Sequence, residues 1–111
     1  MATEVGEEAT DLYEAQARLC RALANATRLR LLHQLSAGER SAGELREAVG
    51  LSRVLLSQHM SVLRGQRLVK VRKEGLRTFY RLSEPIIAEA CNMVRQALER
   101  LAAVGDDDGG S

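Results

Sequence analysis

The sequence predicts a mainly α-helical domain that carries one small β-hairpin. The chain has 111 residues, which is the length of a single ordinary domain. Apolar residues recur at helical spacing over most of the chain, whereas residues 68–82 alternate apolar and polar side chains around a glycine turn. Hydrophobic residues make up 45% of the sequence and aromatic residues only 3%, so we expect a core of aliphatic side chains.

The two ends of the chain are acidic. They are predicted to be disordered tails, at residues 1–9 and 104–111, on either side of a folded domain of residues 10–103. No apolar run approaches the ~20 residues that a membrane span requires. The N-terminus also lacks the basic start and apolar core of a signal peptide. We therefore expect a cytoplasmic protein that has no membrane partner.

Helical periodicity and capping residues define five helices. Asn25 and Ser52 stand at N-cap positions, Ser41 and Glu44 form a capping box, and Gly50 ends the third helix. The predicted helices are residues 10–24, 26–36, 42–49, 53–64 and 84–103. The first and last helices each carry two adjacent apolar stripes, which indicates cover on more than one side. A second copy of the chain is the expected cover, so we predict a homodimer joined through these two helices.

A basic hairpin follows the fourth helix. Strands are predicted at 68–72 and 77–82, with a turn at 73–76 centred on Gly75, and they present one apolar and one basic face. Residues 53–81 carry eight Lys and Arg side chains against one carboxylate, a surplus typical of proteins that bind polyanions. A short helix, a glycine turn, a longer helix and then a basic hairpin is the order of a winged helix-turn-helix.

Several short motifs strengthen this interpretation. They are Leu-Ala-Asn-Ala-Thr-Arg-Leu at 23–29, Glu-Leu at 44–45, Gly-Leu-Ser at 50–52, Ser-Gln-His-Met-Ser-Val-Leu-Arg at 57–64, Leu-Val at 68–69, Arg-Lys-Glu-Gly at 72–75 and Phe-Tyr-Arg-Leu at 79–82. On these motifs the chain resembles the winged helix-turn-helix repressors of the ArsR/SmtB type, over roughly residues 12–101. The resemblance implies a homodimer that binds double-stranded operator DNA and is released by an inducer or by modification of a thiol.

The predicted DNA contacts divide between the fourth helix and the hairpin, which is the wing. Guanidinium and amide groups on the helix can read base edges, and cations on the wing can bind phosphates. His59 either contacts a phosphate or is a half-buried packing residue. Val54 and Leu55 replace the small polar residues more usual in the family, and they either contact thymine methyl groups or pack on a neighbouring helix. The predicted DNA-binding residues are Arg53, Ser57, Gln58, His59, Lys70, Arg72, Lys73 and Arg77.

The sensing function is less determined by the sequence. The family's metal-binding positions are not occupied by ligands, because residues 41–46 contain no cysteine and residues 83–103 contain no histidine. We expect neither a metal site nor a cofactor. Cys20 and Cys91 lie on the apolar stripes of the two predicted dimer helices. They are either ordinary buried core residues, a thiol sensor for an oxidant or reactive sulfur, or a site for a thiophilic metalloid or another inducer.

Other classes of function remain as alternatives to an inducible repressor. The sequence has no phosphate-binding glycine loop, metalloprotease motif or supported catalytic triad, so we do not expect an enzyme and assign no catalytic residue. The first alternative is a winged-helix module that binds only proteins, since fold alone does not fix function. The second is a constitutive DNA-binding regulator without a sensor site.

Overall fold

The computed structural model describes the backbone of residues 2–109 and the side chains of residues 11–104. Its elements, in chain order, are α1 (Ala2–Leu23), α2 (Ala26–Leu35), β1 (Arg40–Ser41), α3 (Ala42–Val49), α4 (Arg53–Gly65), β2 (Val69–Glu74), β3 (Arg77–Leu82) and α5 (Ile86–Gly109). The prediction of a mainly helical chain with a small sheet is confirmed.

Helices α1 and α5 differ from the sequence expectation mainly in length. They extend through most of residues 1–9 and 104–111, the acidic segments that we expected to be disordered tails. At the N-terminal end of α1, Glu and Ala are good helix formers, and acidic residues near a helix N-terminus favour the helix dipole. The aspartates and glycines at the C-terminal end of α5 have no such local explanation. Residues 1, 110 and 111 lie outside the described residues, and the domain limits stay a prediction.

The caps predicted from sequence are present. The Asn25 side chain accepts a hydrogen bond from the backbone N–H of Arg28 at 3.0 Å. Ser41 and Glu44 form both bonds of the capping box, at 3.1 and 2.8 Å. Ser52 caps α4 through the N–H of Leu55. These bonds satisfy backbone donors that have no partner within the helix, so the helix starts are encoded locally.

The sheet contains three antiparallel strands in the order β1-β3-β2. Strands β2 and β3 are paired up to Glu74 opposite Arg77, so only Gly75 and Leu76 form the turn, and Gly75 has a φ of 62°. The predicted four-residue turn was therefore wrong, because residues 73 and 74 continue the strand. The two-residue β1 was not predicted; it pairs residues 40–41 with residues 79–80.

The core is aliphatic, as expected, and it lies between α2, α3, α4 and the sheet. Leu19 and Leu23 of α1 and Ile87 of α5 pack against its edge. Its buried members are Leu31, Leu32, Leu35, Leu45, Leu56, Met60, Leu63, Leu68 and Val69. The core thus holds the helix-turn-helix and the hairpin together as one unit.

The junction between α4 and the hairpin is a left-handed turn. Arg67 has a φ of 59°, and it is the one non-glycine residue with positive φ among the described residues. The N–H of Arg67 donates to the carbonyl of Arg64, and the N–H of Leu68 donates to that of Leu63. These are the two bonds of a Schellman motif, and the buried side chains of Leu63 and Leu68 supply its apolar contact. The turn therefore fixes the direction in which β2 leaves α4.

Helices α1 and α5 leave apolar side chains uncovered. Leu12 and Tyr13 on α1 are 70% and 72% exposed, and large apolar residues on α5 are exposed to a similar degree. On α5 these residues are Ile86, Met93, Val94, Leu98, Leu101 and Val104. No helix in the described part of the chain is both long and apolar enough to cross a bilayer.

Candidate nucleic-acid interface

A basic groove runs between α4, the start of α3 and the hairpin. Its volume is about 1050 Å³. No carboxylate is among its lining residues, whereas five cationic side chains are: Arg46, Arg53, Arg64, Lys73 and Arg77. These cations come from four separate elements, and the fold brings them to one concave surface.

The groove contains four of the residues predicted from sequence to contact DNA, namely Arg53, Ser57, Lys73 and Arg77. Gln58 is exposed on α4 and Lys70 is exposed on β2, but neither lines the groove.

Sequence reasoning missed Arg46 and Arg64. Arg64 had a detectable signal, since residues 53, 57 and 64 fall on one face of a helix. Arg46 carries no such signal in the sequence, because it lies on a different helix and only the tertiary packing brings it to the groove.

Two exposed apolar residues lie at the start of α4. Val54 is 65% exposed and Leu55 is 46% exposed. Neither residue is therefore buried against a neighbouring helix of this chain. Apolar side chains in this position can contact thymine methyl groups in a major groove.

His59 is half-buried and belongs to a link between helices. Its Nδ1 lies 3.4 Å from Nη1 of Arg28 on α2. The Nε of Arg28 donates a hydrogen bond to the backbone carbonyl of Ala22 on α1. Of the two roles left open for His59, this geometry favours packing, and the link connects α4 to both α2 and α1.

Arg72 is engaged on the outer face of the hairpin, away from the groove lining. Its Nη2 and Nε donate to Oε1 and Oε2 of Glu39 at 2.7 and 2.9 Å, and its Nη1 donates to Glu74 at 2.9 Å. The guanidinium also stacks on Phe79, 4.2 Å from the ring centroid. The hydrogen bond from Arg72 lowers the pKa of Glu39, and Glu39 raises that of Arg72. Arg72 therefore fastens β2 to the segment before β1.

The chain also matches known regulators in sequence. The family described as bacterial regulatory protein, arsR family, matches residues 25–71. The HTH-type transcriptional regulator Rv0081 of Mycobacterium tuberculosis is 37% identical over 95 residues, which cover 85% of this chain and 83% of the relative. The chain belongs to the arsR family. The sequence resemblance is thereby confirmed.

Solved structures confirm that this arsR-family chain has a winged helix-turn-helix fold. The crystal structure of Rv0081 has a TM-score of 0.74 at 36% identity and covers 83% of this chain and 93% of that one. A Mycobacterium bovis domain described as a homodimeric winged helix-turn-helix has a TM-score of 0.72 at 31% identity, with 81% and 83% covered. The repressor BigR of Xylella fastidiosa gives 0.70 at 31% identity, with 87% and 95% covered.

The two cysteines of this arsR-family chain are both free thiols. In the single protomer, Cys20 is exposed and Cys91 is half-buried. Of the roles left open for these thiols, that of an ordinary buried core residue therefore does not apply to Cys20 in the single protomer. Burial raises the pKa of Cys91; Arg95 opposes this effect and nearby Cys20 adds to it. No cluster of three or more His, Cys, Asp or Glu side chains suited to a metal occurs among the described residues.

Proposed function

We propose that this protein is a cytoplasmic, dimeric repressor that binds operator DNA through the basic groove and the exposed face of α4. The observation that supports this proposal is the convergence of five cations, without a carboxylate, beside the exposed helix of a helix-turn-helix. Phosphate contacts supply most of the affinity of such proteins and need only Lys and Arg. The proposed role is binding, without a catalytic step.

The groove residues and the exposed helix residues have different tasks in this proposal. Lys73 and Arg77 on the wing neutralise phosphates. Arg53 and Gln58 on α4 read bases, since a guanidinium grips guanine and an amide grips adenine with paired hydrogen bonds. Ser57 contacts a base or a phosphate. Lys70 on the outer wing face is a peripheral phosphate contact, whereas Arg72 and His59 act mainly by holding the wing and α4 in position.

Dimerisation is proposed to occur through the uncovered apolar faces of α1 and α5. Exposed apolar surface of this extent is unusual in a monomer and marks an interface. The homodimeric domain from M. bovis supports the same assembly. A two-fold dimer presents the groove twice, so the operator should contain two half-sites about one helical turn, ~34–36 Å, apart.

Quantitative footprinting on a selected operator tests the division of tasks. We expect Arg53→Ala and Gln58→Ala to relax base preference at a few positions, and Lys73→Ala and Arg77→Ala to weaken binding to all sequences alike. Arg18→Ala is the matched control, because Arg18 is an exposed residue of α1 outside the groove. Loss of sequence preference in the wing variants, with none in the α4 variants, would reverse the assignment.

Binding to duplex DNA also separates the repressor from a module that binds only proteins. Retention on heparin and on an arbitrary duplex at low salt, lost as salt rises, is expected for the proposed function. A protein that ignores both polyanions at low salt is not a DNA-binding regulator.

The release step is proposed to involve an inducer or the thiols of Cys20 and Cys91. In the thiol case, one peroxide molecule accepts two electrons and two protons from the pair, which leaves one disulfide and two waters. Gel shifts with reduced, peroxide-treated and polysulfide-treated protein test this step, with Cys20→Ser and Cys91→Ser as controls. Equal DNA affinity in all three states removes the thiol switch and leaves an inducer or a constitutive regulator.

A further inference from the structure

A second pocket lies between α5 and the α2–α3 pair. Its volume is about 380 Å³, and it shares no lining residue with the basic groove. Leu29, Ala48 and Val49 form an apolar wall. Four polar side chains at its edge carry nitrogen donors: Arg30, His33, Gln34 and Arg95.

The polar edge of this pocket is cationic. No carboxylate is among its lining residues, and both salt bridges found in the described part of the chain involve Arg72. Nη2 of Arg95 lies 3.3 Å from Nδ1 of His33 and 3.2 Å from Oδ1 of Asn92. Both partners hold the guanidinium in place, and neither is a carboxylate. A guanidinium has five N–H donors, so Arg95 retains donors for a further acceptor.

We propose that this pocket binds a small amphipathic monocarboxylate. A guanidinium and a carboxylate form paired, charge-assisted hydrogen bonds, so Arg95 and Arg30 match the acidic group. The aliphatic tail covers the apolar wall. The volume is near the lower end of the ~300–1,000 Å³ typical of ligand pockets, which favours a short chain over a nucleotide. The bound molecule touches α5 and the helix-turn-helix at the same time.

Direct titration of the protein with sodium acetate, butyrate and hexanoate tests the site, with hexan-1-ol as the uncharged control. Isothermal titration calorimetry or ¹⁵N chemical shifts supply the affinity. Each buried methylene contributes ~0.8 kcal/mol, so affinity should rise about fourfold per methylene along the series. Loss of a charge-assisted hydrogen bond weakens binding by about tenfold or more, so hexan-1-ol should bind at least about tenfold less tightly than hexanoate.

Three substitutions and one control locate the binding site. Arg95→Gln and Arg30→Gln should each weaken hexanoate binding by about tenfold, whereas Arg100→Gln, an exposed change on the same α5, should leave it unchanged. Ala48→Glu places a carboxylate in the pocket at an exposed helix position that tolerates glutamate, and it should abolish binding with an unchanged circular dichroism spectrum.

Three results would overturn the proposal: no saturable binding of hexanoate up to about 10 mM, equal binding of hexan-1-ol, or hexanoate binding that survives Ala48→Glu. The titrations contain no DNA, so their failure leaves the proposed DNA binding intact, and a failure of DNA binding leaves this site intact.

Discussion

Arg64 offers the sharpest test of the groove as a phosphate-binding surface. Its side chain lines the groove and makes no hydrogen bond or salt bridge with another described residue. Arg64→Ala therefore removes a charge with little effect on the fold. Because the cation is proposed to contact a phosphate, its loss should weaken binding to every sequence and should reduce the salt dependence of binding.

The expected magnitude follows from the number of cations. Each phosphate contact contributes about 0.9 to the slope of log affinity against log salt concentration. Five cations per protomer are proposed to contact phosphates: the groove residues Arg46, Arg64, Lys73 and Arg77, together with Lys70 on the outer wing face. In two protomers they give a slope of about −9 for the proposed dimer. Arg64→Ala removes two contacts per dimer, so the slope should become about −7. Between about 50 and 200 mM salt, the loss of affinity should fall from about 10⁵-fold to about 10⁴-fold.

Fluorescence anisotropy with a labelled operator and a scrambled duplex, measured over a salt series, supplies both slopes. Arg18→Ala serves as the control for a general change in net charge, since it removes one cation outside the groove. If Arg64→Ala and Arg18→Ala change the slope equally, the binding reflects net charge and not the groove. If Arg64→Ala alters base preference without altering the slope, Arg64 reads bases and not phosphates.

Three further predictions concern stability and assembly. Arg67 and Gly50 both have a left-handed backbone, which glycine adopts without strain. Arg67→Gly should therefore raise the free energy of unfolding by about 1 kcal/mol, and Gly50→Ala should lower it by about the same amount. Urea denaturation at fixed protein concentration measures both changes, and changes of the same sign would contradict the argument. The backbone hydrogen bond from Ser41 lowers the pKa of Glu44, so the ionised Glu44 side chain stabilises the fold above its ordinary pKa of 4.5, and this stabilisation is lost as pH falls below that value. Glu44→Gln should therefore flatten the pH dependence of Tm in this acidic range. An unchanged profile would show that the capping box does not depend on the charge of Glu44. Leu98→Asp places a charge on the uncovered apolar face of α5. It should therefore convert the proposed dimer to a monomer in sedimentation experiments and weaken operator binding. A dimer that persists would locate the interface elsewhere.

The parts of the fold that the sequence predicted correctly are those with a local cause. The caps at Asn25, Ser41 and Ser52 satisfy donors within three residues, so the sequence alone indicates them. The alternation of apolar and polar residues in the hairpin likewise predicted that Val69 lies on the buried face, as the structure shows. The turn was misjudged because Lys73 and Glu74 are polar and stand just before Gly75. Polarity alone does not separate a turn from the exposed end of a strand.

Features that depend on distant residues had no such signal. Strand β1 exists only because Tyr80 and Phe79 of β3 lie beside Arg40 and Ser41. The engagement of Arg72 also depends on Glu39, which lies 33 positions away in the chain. A basic residue in a predicted wing is therefore a candidate for DNA contact only until its partners in the folded chain are known.

The distribution of cations in the folded chain explains why the groove, and not the basic segment as such, is the proposed unit of DNA binding. Half of the eight cations in residues 53–81 line the groove, and Arg72 is paired with carboxylates. Arg46 joins the groove from outside that segment. The distance between the wing and α4 is set by the left-handed turn at Arg67 and by the buried contact of Leu63 with Leu68. Because packing fixes this geometry before DNA binds, only side chains need to become ordered on binding, which lowers the entropic cost of the complex.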